Sequence, residues 1–155
     1  MKKGQTALEY LMTYGWAILI VIVVVAALYA LGLTKPCRWT GTQIREFADF
    51  KVDNPKYDFT TRTISFDISY LKPQTVKLDG VSVTGDASGV TIDPTSQLQV
   101  GDEITSTPKR LVLSGTLTKS SGDCYSLEIT LIYRVQVAGG EETFSTVGKI
   151  SGVAS

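Results

Sequence analysis

Histidine is absent from this 155-residue chain, which removes the commonest general base and the commonest metal ligand. Asparagine occurs once, and Pro55 follows Asn54 directly, so no N-x-Ser/Thr acceptor with an allowed middle residue exists. No G-x-S-x-G elbow, phosphate-binding glycine loop or spaced set of metal ligands is present. Asp86, Asp93, Asp102 and Glu103 fall in turn-like stretches without EF-hand spacing and read as solvated loop acids. The chain therefore does not read as an enzyme, and neither a metal nor another cofactor is expected. An excess of either charge is also missing: 15 Lys+Arg balance 15 Asp+Glu. Nothing in that balance points to nucleic acid. Cysteine is nearly absent. Cys37 and Cys124 lie outside any C-x-x-C spacing; an extracytoplasmic compartment would permit a bridge between them, and two buried free thiols are the alternative.

Charge is also missing locally. From residue 10 to residue 34 no charged residue interrupts an apolar run, which as a helix spans about 37 Å and suffices to cross a bilayer. Apolar residues surround this helix on all sides, as expected for burial all round. Its β-branched residues, Ile18, Ile20 and the run 21–25, lower helix propensity in water. In lipid the backbone has no other partner, so the helix persists. Gly32 serves as a C-cap and Pro36 blocks continuation. Ala26 and Ala30 form a small-x-x-x-small pair that permits close helix approach. Tyr10, Tyr14 and Trp16 gather at one end and Tyr29 lies near the other, as an interfacial belt or as packing between subunits. Lys2 and Lys3 give a basic start, but the core is too long for an ordinary secretory signal and no Ala-x-Ala follows it. From hydropathy alone this is a signal anchor with a domain outside the membrane.

The junction Lys3-Gly4-Gln5-Thr6-Ala7-Leu8-Glu9-Tyr10, running directly into that helix, closely resembles the class III signal peptide of archaeal type IV pilins. The match covers about 30 residues at the head. The resemblance implies cleavage by a prepilin peptidase between Gly4 and Gln5, before the helix, which stays in the mature chain. It also implies an assembly ATPase and a membrane platform protein as partners, and self-association into a helical homopolymer. Glu9 would then be the fifth mature residue, in the first turn, where the helix dipole favours an anion. The resemblance implies that Glu9, with Tyr10 beside it, docks on a neighbouring subunit's terminal amine, a pair valued for register more than for net stability. A headgroup-level carboxylate facing water is the other reading. Gln5 at a mature terminus can cyclise to pyroglutamate and lose its amine charge, leaving Glu9 only a hydrogen-bonding role.

Beyond residue 37 the texture becomes alternating. Residues 43–52 fit a helix or a strand. Residues 59–70 alternate, with Ile64, Phe66, Ile68 and Tyr70 on one face between Pro55 and Pro73. Residues 75–84 surround Asp79-Gly80, a hairpin-turn signal. Short strands are expected at 89–92, 98–100 and 110–117, and a long one at 125–137. Gly139-Gly140 then turns the chain into 142–150. Seven or eight such strands predict an antiparallel β-sandwich of Ig-like class. The abundant Ser and Thr fit the outer face of a sheet, with O-glycosylation as the alternative.

The whole is α+β: a leader at 1–4, a hydrophobic transmembrane or filament-core helix at 5–34, and an extracellular β-sandwich at 35–155. The expected function is a pilin that waits in the membrane and polymerises through its helix into a cell-surface adhesion filament. A membrane-anchored extracellular binding module and an archaellum filament protein are the rivals.

Overall fold

The computed structural model describes the backbone of residues 3–45 and 47–155, and side chains from residue 7 onward except at residue 46. The leader residues Met1 and Lys2, and the exposure of the junction residues Gly4 and Gln5, lie outside the described set. The chain forms two compact units, Met1–Pro36 and Cys37–Ser155. The division falls two residues after the boundary expected from composition.

The first unit is one helix, α1 (Lys3–Ala30). It ends because Gly32 adopts φ +66°. The Leu33 N–H donates to the Leu28 carbonyl and the Gly32 N–H to the Tyr29 carbonyl, at 3.2 and 3.0 Å. These are the two bonds of a Schellman motif, which needs a left-handed residue where Gly32 stands.

The second unit opens on a single turn, α2 (Cys37–Thr40), and continues through nine strands: β1 (Gln43–Arg45), β2 (Phe50–Asp58), β3 (Thr63–Tyr70), β4 (Val76–Gly85), β5 (Ala87–Ile92), β6 (Glu103–Ile104), β7 (Lys109–Leu117), β8 (Cys124–Val137) and β9 (Gly140–Val153). Two antiparallel sheets result, ordered β1-β9-β8-β4-β6 and β2-β3-β7-β5. Alternate residues of each strand face the space between the sheets. Phe66, Ile68, Leu111 and Leu113 from one sheet meet Leu78, Leu127, Ile129 and Leu131 from the other, all fully buried.

The long strand β8 follows the expected alternation, with Tyr125, Leu127, Ile129, Leu131 and Tyr133 buried. Ile64, Phe66, Ile68 and Tyr70 are buried as expected, but residues 59–62 are not part of their strand. The Asp58 carboxylate accepts the N–H groups of Thr60 and Thr61 at 2.9 and 3.1 Å, which folds a tight turn there. Pro55 does not bracket a strand. It lies inside β2, where the register with β3 breaks between Asp53 and Lys56 and Asn54 takes φ +49°. That bulge tolerates the missing N–H of proline.

Asp79-Gly80 is a bulge as well, not a hairpin turn. The register of β4 on β8 shifts between Leu78 and Gly80, and Gly80 is not among the positive-φ glycines that a two-residue hairpin turn would require. The continuous strand β8 spans both halves of β4 and keeps them in one ladder. Residues 98–100 form a loop whose Leu98 is nevertheless fully buried. Residues 43–52 divide into β1 and the start of β2.

The candidate assembly helix and the surface of the β-domain

Helix α1 contains an apolar stretch, Ala7–Ala30, of 24 residues, within which an 18-residue window has mean hydropathy 2.5 and no buried residue. At 1.5 Å per residue the stretch extends about 36 Å, against a hydrocarbon layer of about 30 Å. Every described side chain in that stretch is exposed, including Trp16, Val21 and Tyr29. Such a surface is at rest only in lipid or against other apolar surfaces.

The expected docking residues lie near the start. Helix α1 begins at Lys3, so in the uncut chain Glu9 is the seventh helical residue and no acid occupies the first turn. The expectation that the helix dipole steadies Glu9 concerns the mature chain beginning at Gln5, in which Glu9 would be the fifth residue. The Glu9 side chain is exposed. Its carbonyl accepts the Thr13 hydroxyl at 2.8 Å. Tyr10 and Tyr14, one turn apart, bring their ring centroids to 4.3 Å. Trp16 is two residues on from Tyr14 and so lies about 200° around the helix, on the other side.

Ala26 and Ala30 do come together. They floor an apolar groove of about 470 Å³ whose walls are Val21, Ile22, Val25 and Tyr29. Sequence reading named the two alanines and missed the walls. The signal was available in the spacing 22, 25, 26, 29, which repeats at steps of three and four along one face. A groove floored by small side chains lets a second helix approach closely, and its apolar walls supply the contact area.

On the β-domain, Cys37 and Cys124 are joined in a disulfide with a Cα–Cα distance of 5.8 Å. The bridge ties α2 to the first residue of β8 and implies folding in an oxidising compartment. Together with a helix long and apolar enough to cross a membrane, it fits a chain that enters or crosses one.

Of the acids considered as loop groups, Asp93 and Asp102 build turns, Asp86 ties its bend to β8, and Glu103 lies in β6 instead of a turn. Asp93 accepts the Thr95 N–H at 2.8 Å and its hydroxyl at 2.6 Å, and these bonds hold its carboxyl below the ordinary value. Asp102 accepts the Gln99 N–H, and Asp86 the Ser126 N–H, each at 2.8 Å. Among the described residues no group of three potential metal ligands is assembled.

A polar depression of about 210 Å³ is lined by Thr75, Lys77, Glu103, Arg134, Gln136 and Glu141. Three of its charged groups, Lys77, Arg134 and Glu141, are matched among themselves. Glu141 meets Arg134 at 2.9 Å and Lys77 at 3.4 Å, and Arg134 Nε lies 3.0 Å from Asp79 but at an angle that makes no hydrogen bond. The pairs stand on the outer face of the five-stranded sheet.

At one end of the core, Tyr133 donates to Asp49 at 2.9 Å while Lys72 pairs with the same carboxylate at 2.7 Å. The Lys72 and Tyr133 bonds hold Asp49 below its ordinary range, and burial, then Asp49, push the Tyr133 hydroxyl well up. Tyr125, stacked on Tyr57 at 4.5 Å, is pushed up to about 12, chiefly by burial. The chain matches no protein-family model and no curated protein.

Proposed function

We propose that the chain is a structural subunit, a pilin of the archaeal type IV class, stored in the membrane and polymerised through α1 into a cell-surface adhesion filament. The observation that carries this reading is the junction from Lys3 to Tyr10 running without a break into a helix whose described side chains are exposed on every side. Lipid and a bundle of like helices are both dry, so one surface serves the stored and the assembled state. The groove at Ala26 and Ala30 offers a close-approach site for a neighbouring helix. Glu9 is the lone carboxylate on that surface and supplies register. The disulfide-bridged sandwich would coat the shaft. A prepilin peptidase, an assembly ATPase and a membrane platform protein are the partners this reading requires.

Mass spectrometry of the native protein's N-terminus tests it. A chain that begins at Gln5, as glutamine or as pyroglutamate, is expected. A chain that retains Lys2 and Lys3 overturns the reading in favour of an anchored extracellular module.

A further inference from the structure

Most edges of the two sheets are short or interrupted. Strand β1 has three residues and β6 two. Strand β2 carries Pro55 and its bulge, and β5 breaks register with β7 between Ser88 and Thr91. Such breaks prevent the addition of foreign strands. One edge is left long. Strand β1 pairs with β9 only from Lys149 to Ser151. Upstream of Lys149, β9 has β8 on one side and, among the described residues, no strand on the other. Its register on β8 runs unbroken from Val153 back to Gly140, and it contains no proline.

The direction of its backbone groups follows from its end. Ala154 exchanges bonds with Gly122 and Asp123, on the side of β8. Counting back by twos, even-numbered residues of β9 bond to β8 and odd-numbered residues face away. Strand β1 uses Ser151 and Lys149 in this way. Glu141, Thr143, Ser145 and Val147 therefore aim N–H and C=O groups at open edge. These four residues and Phe144 are exposed.

We propose that this edge pairs antiparallel with the same edge of a second copy, about a two-fold axis at Phe144. Residues opposed across such a pair must share parity. A pairing centred on residue 141 or 142 sets a glutamate against itself, which is unfavourable. Centres at 143 or 145 leave part of the free stretch unused. Centring on Phe144 engages all of 141–147, with Glu141 opposite Val147 and Glu142 opposite Thr146. Phe144 meets its own copy at a non-hydrogen-bonded pair, where Cα atoms approach to about 4.5 Å. The pairing forms about eight backbone hydrogen bonds. A seven-residue edge buries less than the roughly 1,000 Å² of a stable interface, so the pairing operates where copies are concentrated or arrayed in number. Neighbours in one polar shaft are related heterologously, whereas this contact is isologous. On the filament reading, and only there, the edge joins subunits of different shafts.

The test uses the full chain in detergent, at high protein concentration, with copper-phenanthroline oxidation and non-reducing electrophoresis. Phe144→Cys is expected to give a cross-linked dimer, while Glu142→Cys and the unmodified chain, whose own cysteines are bridged, give none. Added to Phe144→Cys, Ser145→Pro removes an edge-facing donor that no strand of the fold uses. Val147→Glu sets a carboxylate against Glu141 of the second copy. Each acts twice by symmetry and is expected to lower the dimer about tenfold at unchanged melting temperature. If Ser145→Pro lowers the melting temperature, Val147→Glu decides. Absence of the Phe144→Cys dimer, an equal dimer from Glu142→Cys, or no loss on blocking the edge overturns the proposal. The N-terminal mass test of the pilin reading is independent of all three.

Discussion

The guanidinium of Arg110 holds both carboxylate oxygens of Asp67 across the paired strands β7 and β3, Nε to Oδ1 at 2.7 Å and Nη2 to Oδ2 at 3.0 Å. Asn54, the only asparagine in the chain, donates to the same carboxylate at 2.9 Å from its place in the β2 bulge. The Arg110 bond first, and the Asn54 bond second, hold the Asp67 carboxyl below its ordinary value. A carboxyl depressed on folding contributes stability that is fully present above its unfolded value of about 3.9 and is lost as pH falls through the folded value. Asp49, depressed by Lys72 and Tyr133, acts in the same sense. The melting temperature is therefore expected to fall steeply below about pH 4. The fall should be shallower in Asp67→Asn, because that variant has no proton to take up. Thermal melts between neutral and acid pH check this; equal slopes would refute it. Arg110→Met is expected to cost about 1 kcal/mol at neutral pH, a modest figure because Arg110 is partly exposed and screened.

The bridge between Cys37 and Cys124 closes a loop with a sequence separation of 87. In the chain-entropy treatment such a loop is worth about 4–5 kcal/mol. Cys37→Ser with Cys124→Ser, or reduction of the intact protein, should lower stability by that order in urea titration. An unchanged midpoint would show that the bridge contributes nothing to the folded state.

Phe47 lays its ring on the backbone of β9 at Gly148, and a methyl group added there would overlap the ring. Gly148→Ala is expected to destabilise the domain by about 1–3 kcal/mol through overpacking. The cost should shrink when Phe47 is also truncated to alanine, since the obstacle is then gone. A double-mutant cycle in urea measures the coupling; additive effects would remove Phe47 as the cause.

Glu9→Ala should insert into membranes as well as the parent chain, because it removes a charge from an apolar helix. Surface fibre yield should fall on the order of tenfold or more if Glu9 pairs with a neighbouring subunit in a dry shaft. Fractionation into membrane and sheared fibres reads both quantities. Equal fibre yield would take Glu9 out of assembly. Gly4→Leu should leave residues 1–4 attached and abolish fibres, which the same fractionation and an intact-mass measurement would reveal.

Periodicity carried much of the fold. Leu127, Ile129 and Leu131 alternate because β8 lies in the middle of a sheet with one face on the core, and that face is written directly into residue type. The same logic placed Ile64, Phe66 and Ile68. It failed where the chain inserts a residue. Pro55 and Asp79-Gly80 look like stops, but each sits in a bulge that a neighbouring strand spans, and the neighbour is not visible locally. Leu98 packs from a loop, so no period announces it. In α1 the alanine pair of the groove was legible because helical neighbours are set by spacing alone. The free edge of β9 was not legible, since it exists only because β1 pairs over three residues and then departs.

Cys37 is both the first residue of the β-domain and one end of the bridge. A pull transmitted along the backbone from the helix therefore need not pass through the three pairs of β1. It can enter β8 through sulfur, and β8 is laced to β9 along its whole length and to β4 over much of it. The covalent link turns a strand held by three pairs into slack and the best-anchored strand of the domain into the strut, so a tethered sandwich would resist being peeled open from the side on which it is held.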